Sequence, residues 1–448
     1  VKNQGSMIVD NLSVAREQSF GSTLIVGAGP AAIQVAVHLG KGWCTQLGVI
    51  NRQSPHTTQL KKELEQGDYI LKANVQDEKK RHLAGAVRLD QFYEGFETIE
   101  DRWDTLILCT PSDSYIEVIR ELSLDRLSRL GTILLISPSI GSNLLVRSEL
   151  GQAKERIEVI SFSTYYAATK LDPQETSILV SYTKAFKKRV YIGSSHPLSS
   201  KVFEVQRLME SLGIQCTIDR SPLEAESKSI TTYVHPPLFM NEFSLREIFQ
   251  TEKSKKFMYK LYPEGPITQH TIREMLHLWK EISALILSFG GNPINLLKFL
   301  NDDNYPVHET TLSREDIEGF TRFESIKQEY LLYIRYTSIL IDPFSTPDEN
   351  GRYFDFSAVP FKQISQDQQG KWILPRIPYE DYKKLKLLYG LAQKMNLPMP
   401  QTEELMKRFE KAFSELVSSR GRDSFPSSLF QDTTQDEIEA IWSEWREQ

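Results

Sequence analysis

The feature that most constrains this chain is a glycine turn set between a strand-like run and a helix-like run. Thr23-Leu-Ile-Val26 is short, continuous and apolar; Gly27-Ala-Gly29-Pro-Ala-Ala32 follows, and Ala31 to Leu39 has helical composition. A strand that passes through glycines into a helix is the setting in which G-x-G-x-x-A holds a dinucleotide. Gly27 permits the tight turn, Gly29 lets the backbone approach a pyrophosphate, and Ala32 lets the helix pack close to the strand. Pro30 and Ala31 open the helix, whose unpaired N–H groups suit an anion. A glycine-rich turn without a ligand is the plainer alternative, and the strand–turn–helix setting argues against it.

More apolar runs repeat the pattern: Leu47–Ile50, Thr105–Cys109, Thr132–Ser137 and Ile157–Ser161, separated by helical stretches. Continuous apolar strands alternating with helices predict a parallel sheet covered on both faces, a Rossmann-type doubly wound α/β domain. Val190–Ile192 and Gln215–Ile218 flank a helical stretch from Lys201 to Leu212, and either extend that sheet or form a small lobe. From about Thr231 long helical patterns dominate. His270 to Phe289 carries apolar residues at helix spacing and stops at Gly290-Gly291. Ser325 to Ile341 is apolar nearly all round, which predicts a central helix. Arg352 to Pro378 reads as hairpin-like, Tyr379 to Ser419 as helical, Asp423 to Thr434 as a loose connection and Ile438 to Trp445 as a last helix. The expected domains are a nucleotide-binding domain over residues 7–225 and a mainly α-helical substrate, catalytic and dimerisation domain over residues 226–448. Residues 1–6 read as a cloning scar before Met7.

Composition narrows the partners. Of 448 residues, 25% are charged and the net charge is −6, so nothing points to nucleic acid or an anionic membrane. No run approaches the roughly 18 uncharged apolar residues of a membrane span, and no secretory signal core follows the start, so a cytoplasmic location is expected. The three cysteines, Cys44, Cys109 and Cys216, lack metal-ligand spacing; Cys109 reads as a small core residue.

Cofactor preference is written after the second strand. NAD-preferring sites place an acid there for the ribose 2′-hydroxyl. Here Ile50-Asn51-Arg52 ends the strand, with Lys61 and Lys62 further on. A cation in that place favours the 2′-phosphate of NADP, so NADPH/NADP is the expected cofactor. Thr110-Pro111-Ser112 and Ser137 lie at the ends of later strands, the edge that faces a bound nucleotide.

The second half carries long strings: Tyr233-Val-His235-Pro-Pro-Leu-Phe-Met240-Asn241, Tyr259-Lys-Leu-Tyr-Pro263-Glu264-Gly-Pro266, Asn304-Tyr-Pro-Val307, and Ile341-Asp342-Pro-Phe-Ser345 before Phe354-Asp355-Phe-Ser-Ala-Val-Pro360-Phe361. With Ser161-Phe-Ser-Thr-Tyr165, these resemble the opine metallophore dehydrogenases: staphylopine, pseudopaline and yersinopine dehydrogenases. The resemblance spans nearly the whole chain after Met7. It implies an NADP-dependent oxidoreductase acting on CH–NH bonds. The amine of a nicotianamine-like intermediate, built from histidine and an aminobutyrate unit, condenses with pyruvate or 2-oxoglutarate, and the imine is reduced. The product is a metal-chelating opine. The enzyme itself needs no metal, and the resemblance further implies a homodimer working downstream of a nicotianamine synthase-like enzyme. Another Rossmann opine or 2-hydroxyacid oxidoreductase, or a non-catalytic NADPH-binding sensor, would share the glycine turn.

Reductive condensation needs a proton donor near neutrality, which suits histidine. His235 stands between an apolar, strand-like run and two prolines, and the resemblance makes it the catalytic histidine; a hydrogen-bonded core histidine is the alternative. Asp342, ending the apolar helix, either orients a histidine such as His235 or serves the turn at Pro343. Arg335 inside that helix either pairs with Glu329 or clamps a substrate carboxylate. Lys260, Glu264 and Asn241 are weaker substrate-binding candidates. Tyr165 and Ala168 mark the 2-oxo acid pocket. The staphylopine branch has aspartate where Ala168 stands, so alanine here admits 2-oxoglutarate and leaves pyruvate possible.

Overall fold

The glycine turn stands on the third-from-edge strand of an eight-stranded sheet. The computed structural model describes residues 20–196, 199–338, 349, 351, 355 and 357–447. The sheet contains β1 (Ser22–Val26), β2 (Gln46–Asn51), β5 (Gln91–Glu94), β6 (Thr105–Leu108), β7 (Thr132–Leu135), β8 (Glu158–Phe162), β11 (Arg189–Ser194) and β12 (Gln215–Ile218), in the order β12-β11-β8-β7-β6-β1-β2-β5. All pairs are parallel except β8 with β11. Val190–Ile192 and Gln215–Ile218 therefore extend the sheet. The strand order reverses beside β1, where a doubly wound sheet opens a crevice at its carboxyl edge.

Both faces are buried. Ile25 points into one core with Val49, Ile107, Leu134 and Ile160, while Leu24 and Val26 point into the other with Leu106, Leu108 and Ile133. Alternate residues of each strand thus serve opposite faces, which is why these strands read as unbroken apolar runs. Each fully buried aliphatic side chain contributes roughly 1.5–3 kcal/mol. Cys109 is part of this packing, and burial pushes its thiol up. Helices α1 (Pro30–Leu39), α2 (Pro55–Gln66), α3 (Tyr115–Glu121), α4 (Ser142–Leu150), α5 (Ser200–Ser211) and α6 (Pro222–Ser227) complete this unit.

A second sheet belongs to the same unit: β3 (Ile70–Val75), β4 (Gly85–Arg88), β9 (Ala167–Leu171) and β10 (Val180–Phe186), in the order β4-β3-β10-β9. It packs on α1 through a chain of hydrogen-bonded side chains that runs from Tyr165 to Tyr166. Tyr165 Oη meets Thr169 Oγ1 at 3.1 Å, Thr169 meets Thr183 at 3.0 Å, and Thr183 donates to Gln34 Oε1 at 2.6 Å. Gln34 Nε2 lies 2.6 Å from His38 Nε2, and His38 Nδ1 lies 3.0 Å from Tyr166 Oη.

The chain divides into two compact units, the first closing at Lys228 and the second running from Ser229 to Arg446. The second holds α7 (Ile230–Phe239), α8 (Glu242–Phe249), α9 (Gln269–Ser288), α10 (Leu296–Asp302), α11 (Arg314–Gly319), α12 (Ser325–Ser338), α13 (Arg376–Lys394), α14 (Pro400–Arg420) and α15 (Thr434–Arg446). Thr268 caps α9 by accepting from Thr271 N, and the helix buries Ile272, Met275, Leu276, Trp279, Ile282 and Ile286. The expected hairpin is the small pair β13 (Ser365–Gln366) and β14 (Trp372–Ile373).

Two expectations fail here. Helix α12 is not apolar all round in its setting: Leu331, Leu332, Arg335 and Tyr336 are buried, while Ile326 and Tyr330 are 78% and 62% exposed. The run before His235 is helical, not strand-like. Pro236 and Pro237 lie inside α7, where they cannot donate to the carbonyls four residues back, and tertiary packing holds the helix together regardless. Among the described residues, no helix is long and apolar enough to cross a membrane.

Candidate active site residues of the two units

In the first unit the dinucleotide turn has the geometry its sequence demands. Gly27 takes φ +102, a left-handed conformation that glycine alone adopts without strain, and a Cβ there would press on Thr110 and on the Cys109 backbone. A Cβ at Gly29 would meet nothing within 4 Å, so this backbone lies open to close approach. Gly29 caps α1 without a side-chain acceptor, and Pro30 starts the helix. The amides of Ala31 and Ala32 therefore precede the first intrahelical donor, Ile33, which bonds to Gly29 O at 3.1 Å. An anion is the natural partner for such a terminus. Thr110 Oγ1, at the end of β6, is buried without a hydrogen-bond partner, a polar atom available to a ligand. These residues fit a dinucleotide.

Arg52 leaves β2 half-exposed and pairs with Glu117 at 2.8 Å. Lys61 stands 3.7 Å from Glu94. Arg52 and Glu117 line a cavity of about 600 Å³ with Gln53, Gly95 and Arg126. Ser112 Oγ and Ser139 Oγ are 2.8 Å apart, joining the turns that follow β6 and β7. Pro111 precedes Ser112 and is exposed, as is Ser137, whose N–H donates to Tyr115 Oη at 3.3 Å. Tyr165 is held by Thr169 and burial pushes its phenol up. Ala168 is exposed on β9, opposite Ala185 beside a register shift.

In the second unit α7 presents His235 to Asp381, with Nδ1 3.4 Å from Oδ2 and side-chain exposures of 12% and 4%. Asp381 Oδ2 accepts no well-aligned hydrogen bond, so the pair is in contact but not locked. The His235 ring meets Phe239 edge-on at 5.1 Å, and Phe239 meets Tyr259 at 5.7 Å. Burial, followed by Tyr336, Asp381 and Tyr305, pushes the Tyr259 phenol up to about 12. The site thus gathers a histidine, a buried carboxylate and a neutral phenol.

Sequence reasoning missed Asp381. The signal was present: Pro378, Asp381, Leu385, Leu388 and Ala392 form the buried stripe of α13, so an acid occupies a core position. Asp342, the carboxylate expected to orient His235, lies outside the described residues.

Arg335 is 4% exposed and does not pair with Glu329, which binds Arg273 instead. Its Nη2 donates to Leu300 O at 2.9 Å and Tyr305 O at 3.1 Å, while its Nε is buried without a partner. Burial lowers its pKa, with Tyr336 and Tyr305 opposing. Asn241 is a helix cap rather than a free donor. Its Oδ1 accepts from Ser244 N, and its Nδ2 donates to Pro237 O and Leu238 O, all at 2.9 Å. Lys260 is bound to Asp355, and Glu264 is exposed in its loop. Among the described residues, no group of three His, Cys, Asp or Glu side chains could hold a metal ion.

Comparison with known proteins places this arrangement. The staphylopine dehydrogenase family profile matches residues 21–445. Pseudopaline synthase of Pseudomonas aeruginosa is 44% identical over 432 residues, 96% of this chain and 99% of that protein. Staphylopine synthase of Staphylococcus aureus is 38% identical over 417 residues, 91% of this chain and 95% of that protein. A yersinopine dehydrogenase structure with NADP+ bound superposes with a TM-score of 0.88 at 34% identity, covering 96% of this chain and 100% of that one.

Proposed function

The chain belongs to the staphylopine dehydrogenase family, and on that premise we propose that it joins the amine of a histidine–aminobutyrate intermediate to a 2-oxo acid with NADPH as reductant. At the coarser level it is an opine metallophore dehydrogenase, an NADP-dependent oxidoreductase. The observation that carries the finer reading is the contact of His235 with the buried Asp381.

The reaction combines an amine and a ketone, loses water to give an imine, and adds hydride to carbon and a proton to nitrogen. NADPH, when bound, supplies the hydride. Gly27, Gly29 and the N-terminus of α1 would hold its pyrophosphate, and Arg52, paired with Glu117 in this structure, would bind its 2′-phosphate. Loss of water from the carbinolamine needs a proton at the departing hydroxyl. His235 delivers it, and Asp381 orients the ring. Arg335, buried with one unpaired N–H, binds a substrate carboxylate. Ala168 leaves room and no negative charge for the second carboxylate of 2-oxoglutarate. The amine is the product of a nicotianamine synthase-like enzyme.

Mixing the protein with NADPH, the amine and either pyruvate or 2-oxoglutarate, and following loss of reduced-cofactor absorbance, tests the reading. Oxidation that requires both substrates is expected; no oxidation with either oxo acid would contradict it.

A further inference from the structure

One buried acid has no part in that chemistry. Glu226, on α6, is 1% exposed. Its Oε2 accepts from Gly141 N at 2.8 Å, and its Oε1 accepts from Asn143 N and Ser161 Oγ, each at 2.8 Å. Gly141 and Asn143 belong to the turn that leads β7 into α4, and Ser161 lies on the neighbouring strand β8. Asn143 closes the arrangement: its Nδ2 donates to Val159 O at 3.0 Å and to Ser161 Oγ at 3.1 Å. One carboxyl thus ties the first turn of α4 to the strand beside it.

Several positions serve this one contact. Gly193 on β11 admits the start of α6, since a Cβ there would sit 2.4 Å from Ser221 O. Ser221 caps α6 by accepting from Glu224 N. Asn143 and Ser161 are 2% and 0% exposed. A fully buried carboxyl is costly unless its hydrogen bonds are complete, so so many committed partners point to a purpose beyond solubility or surface charge.

The turn held by Glu226 reaches the nucleotide edge. Ser139, between Ser137 and Gly141, meets Ser112 Oγ across the ends of β6 and β7, and Thr110 at the end of β6 packs against Gly27. In a doubly wound sheet β1 and β2 serve the adenosine half of a dinucleotide, and the strands beyond the reversal serve the nicotinamide half. We propose that Glu226 is a positioning residue for the cofactor: by fixing the Ser137–Asn143 turn it sets the wall of the nucleotide site on the nicotinamide side. This rests on the cofactor reading above, and it assigns Glu226 no contact with the reacting atoms. Glutamine at this position would place an amide N–H against a backbone N–H, displacing the turn without changing the side chain's size.

The test compares Glu226→Gln with the unaltered chain by titrating NADPH and, separately, 2′,5′-ADP, which carries the adenosine half alone. Hydrogen exchange is read over residues 137–143 without cofactor. The expected result is an NADPH Kd raised about tenfold or more, the scale of one lost hydrogen bond, an unchanged 2′,5′-ADP Kd, and faster exchange at Gly141 and Asn143. Unchanged NADPH binding, or equal weakening of both ligands, would overturn the proposal. Should Glu226→Gln fail to fold, Ser161→Ala removes one hydrogen bond to the same carboxyl and decides by the same selective loss or its absence. If the unaltered chain binds neither ligand, the cofactor reading itself falls, and this inference with it.

Discussion

His235 Nδ1 stands 3.4 Å from Asp381 Oδ2, and the two side chains come from helices separated by more than a hundred residues. A carboxylate 4% exposed beside a histidine is expensive to bury and has no other described partner at that oxygen. Its effect is to hold one orientation and one tautomer of the ring. Asp381→Asn removes the charge and keeps the shape. The expected result is a kcat lower by roughly a hundredfold, the lower end of the range of general acid–base catalysis, with the NADPH Kd unchanged. A normal kcat in a folded variant would remove Asp381 from the account.

In the proposed function Arg52 exchanges Glu117 for the 2′-phosphate of the cofactor. It pairs with Glu117 at the surface, where such a pair is worth less than about 1 kcal/mol. A 2′-phosphate offers more acceptor atoms and more charge. Arg52→Ala should therefore raise the KM for NADPH about tenfold or more while leaving the KM for NADH nearly unchanged. Equal loss with both cofactors would place the 2′-phosphate elsewhere.

Two buried groups give the first unit opposite pH limbs. Burial, then the charge of Lys41, lowers His38 to about 3. Its Nε2 accepts from the Gln34 amide, which a second ring proton would oppose. The folded value lies below the unfolded one, so this stability is present above about 6.5 and is lost as pH falls toward about 3. Glu226 has the other sign. Burial pushes it up to about 8, against the Ser161 hydroxyl and the Asn143, Gly141 and Ser142 amides. Its contribution is present below about 4.5 and is lost as pH rises through about 8. Urea midpoints measured across pH should show His38→Gln flattening the acid limb and Glu226→Gln the alkaline limb. Unaltered limbs would contradict these assignments.

Ala168 is exposed on β9 beside a bulge, a place where an added side chain meets solvent or substrate rather than core. Ala168→Asp should lower kcat/KM for 2-oxoglutarate by about tenfold or more, from charge repulsion, and change pyruvate much less. An equal fall for both acids would argue that Ala168 lies outside the oxo acid pocket.

The legible parts of this fold are those in which one physical requirement dominates. β1, β2, β6, β7 and β8 are buried on both faces, so their sequences are continuously apolar. The second sheet left no such trace: Ile70–Val75 alternates buried Leu71 and Ala73 with exposed Lys72 and Asn74, and Ala167–Leu171 is largely exposed. Those strands are defined by pairing and by the hydrogen-bonded chain through Gln34 and His38, which no local pattern records. His235 was singled out by the resemblance, and its helix was hidden by Pro236 and Pro237. Asp381 was visible only as an acid in the α13 stripe, and the Asn241 amide, which resembles a ligand-binding group, joins two helices: its Oδ1 caps α8 and its Nδ2 donates to two carbonyls of α7. The apolar surface of α12 was read as core because periodicity cannot tell a buried face from an exposed one.

The most direct test of the central claim follows the hydride and the proton together. The protein is supplied with NADPH deuterated at the transferred position, the histidine–aminobutyrate amine and 2-oxoglutarate or pyruvate, and the product is analysed by mass spectrometry for the unaltered chain and for His235→Ala. The expected product is a secondary amine whose formula is the sum of the two substrates less one oxygen atom, with deuterium in place of hydrogen on the former carbonyl carbon. His235→Ala should still bind NADPH but form this product about a hundredfold or more slowly. A product without deuterium, a reduced oxo acid with no amine attached, or an undiminished rate in His235→Ala would contradict the central claim.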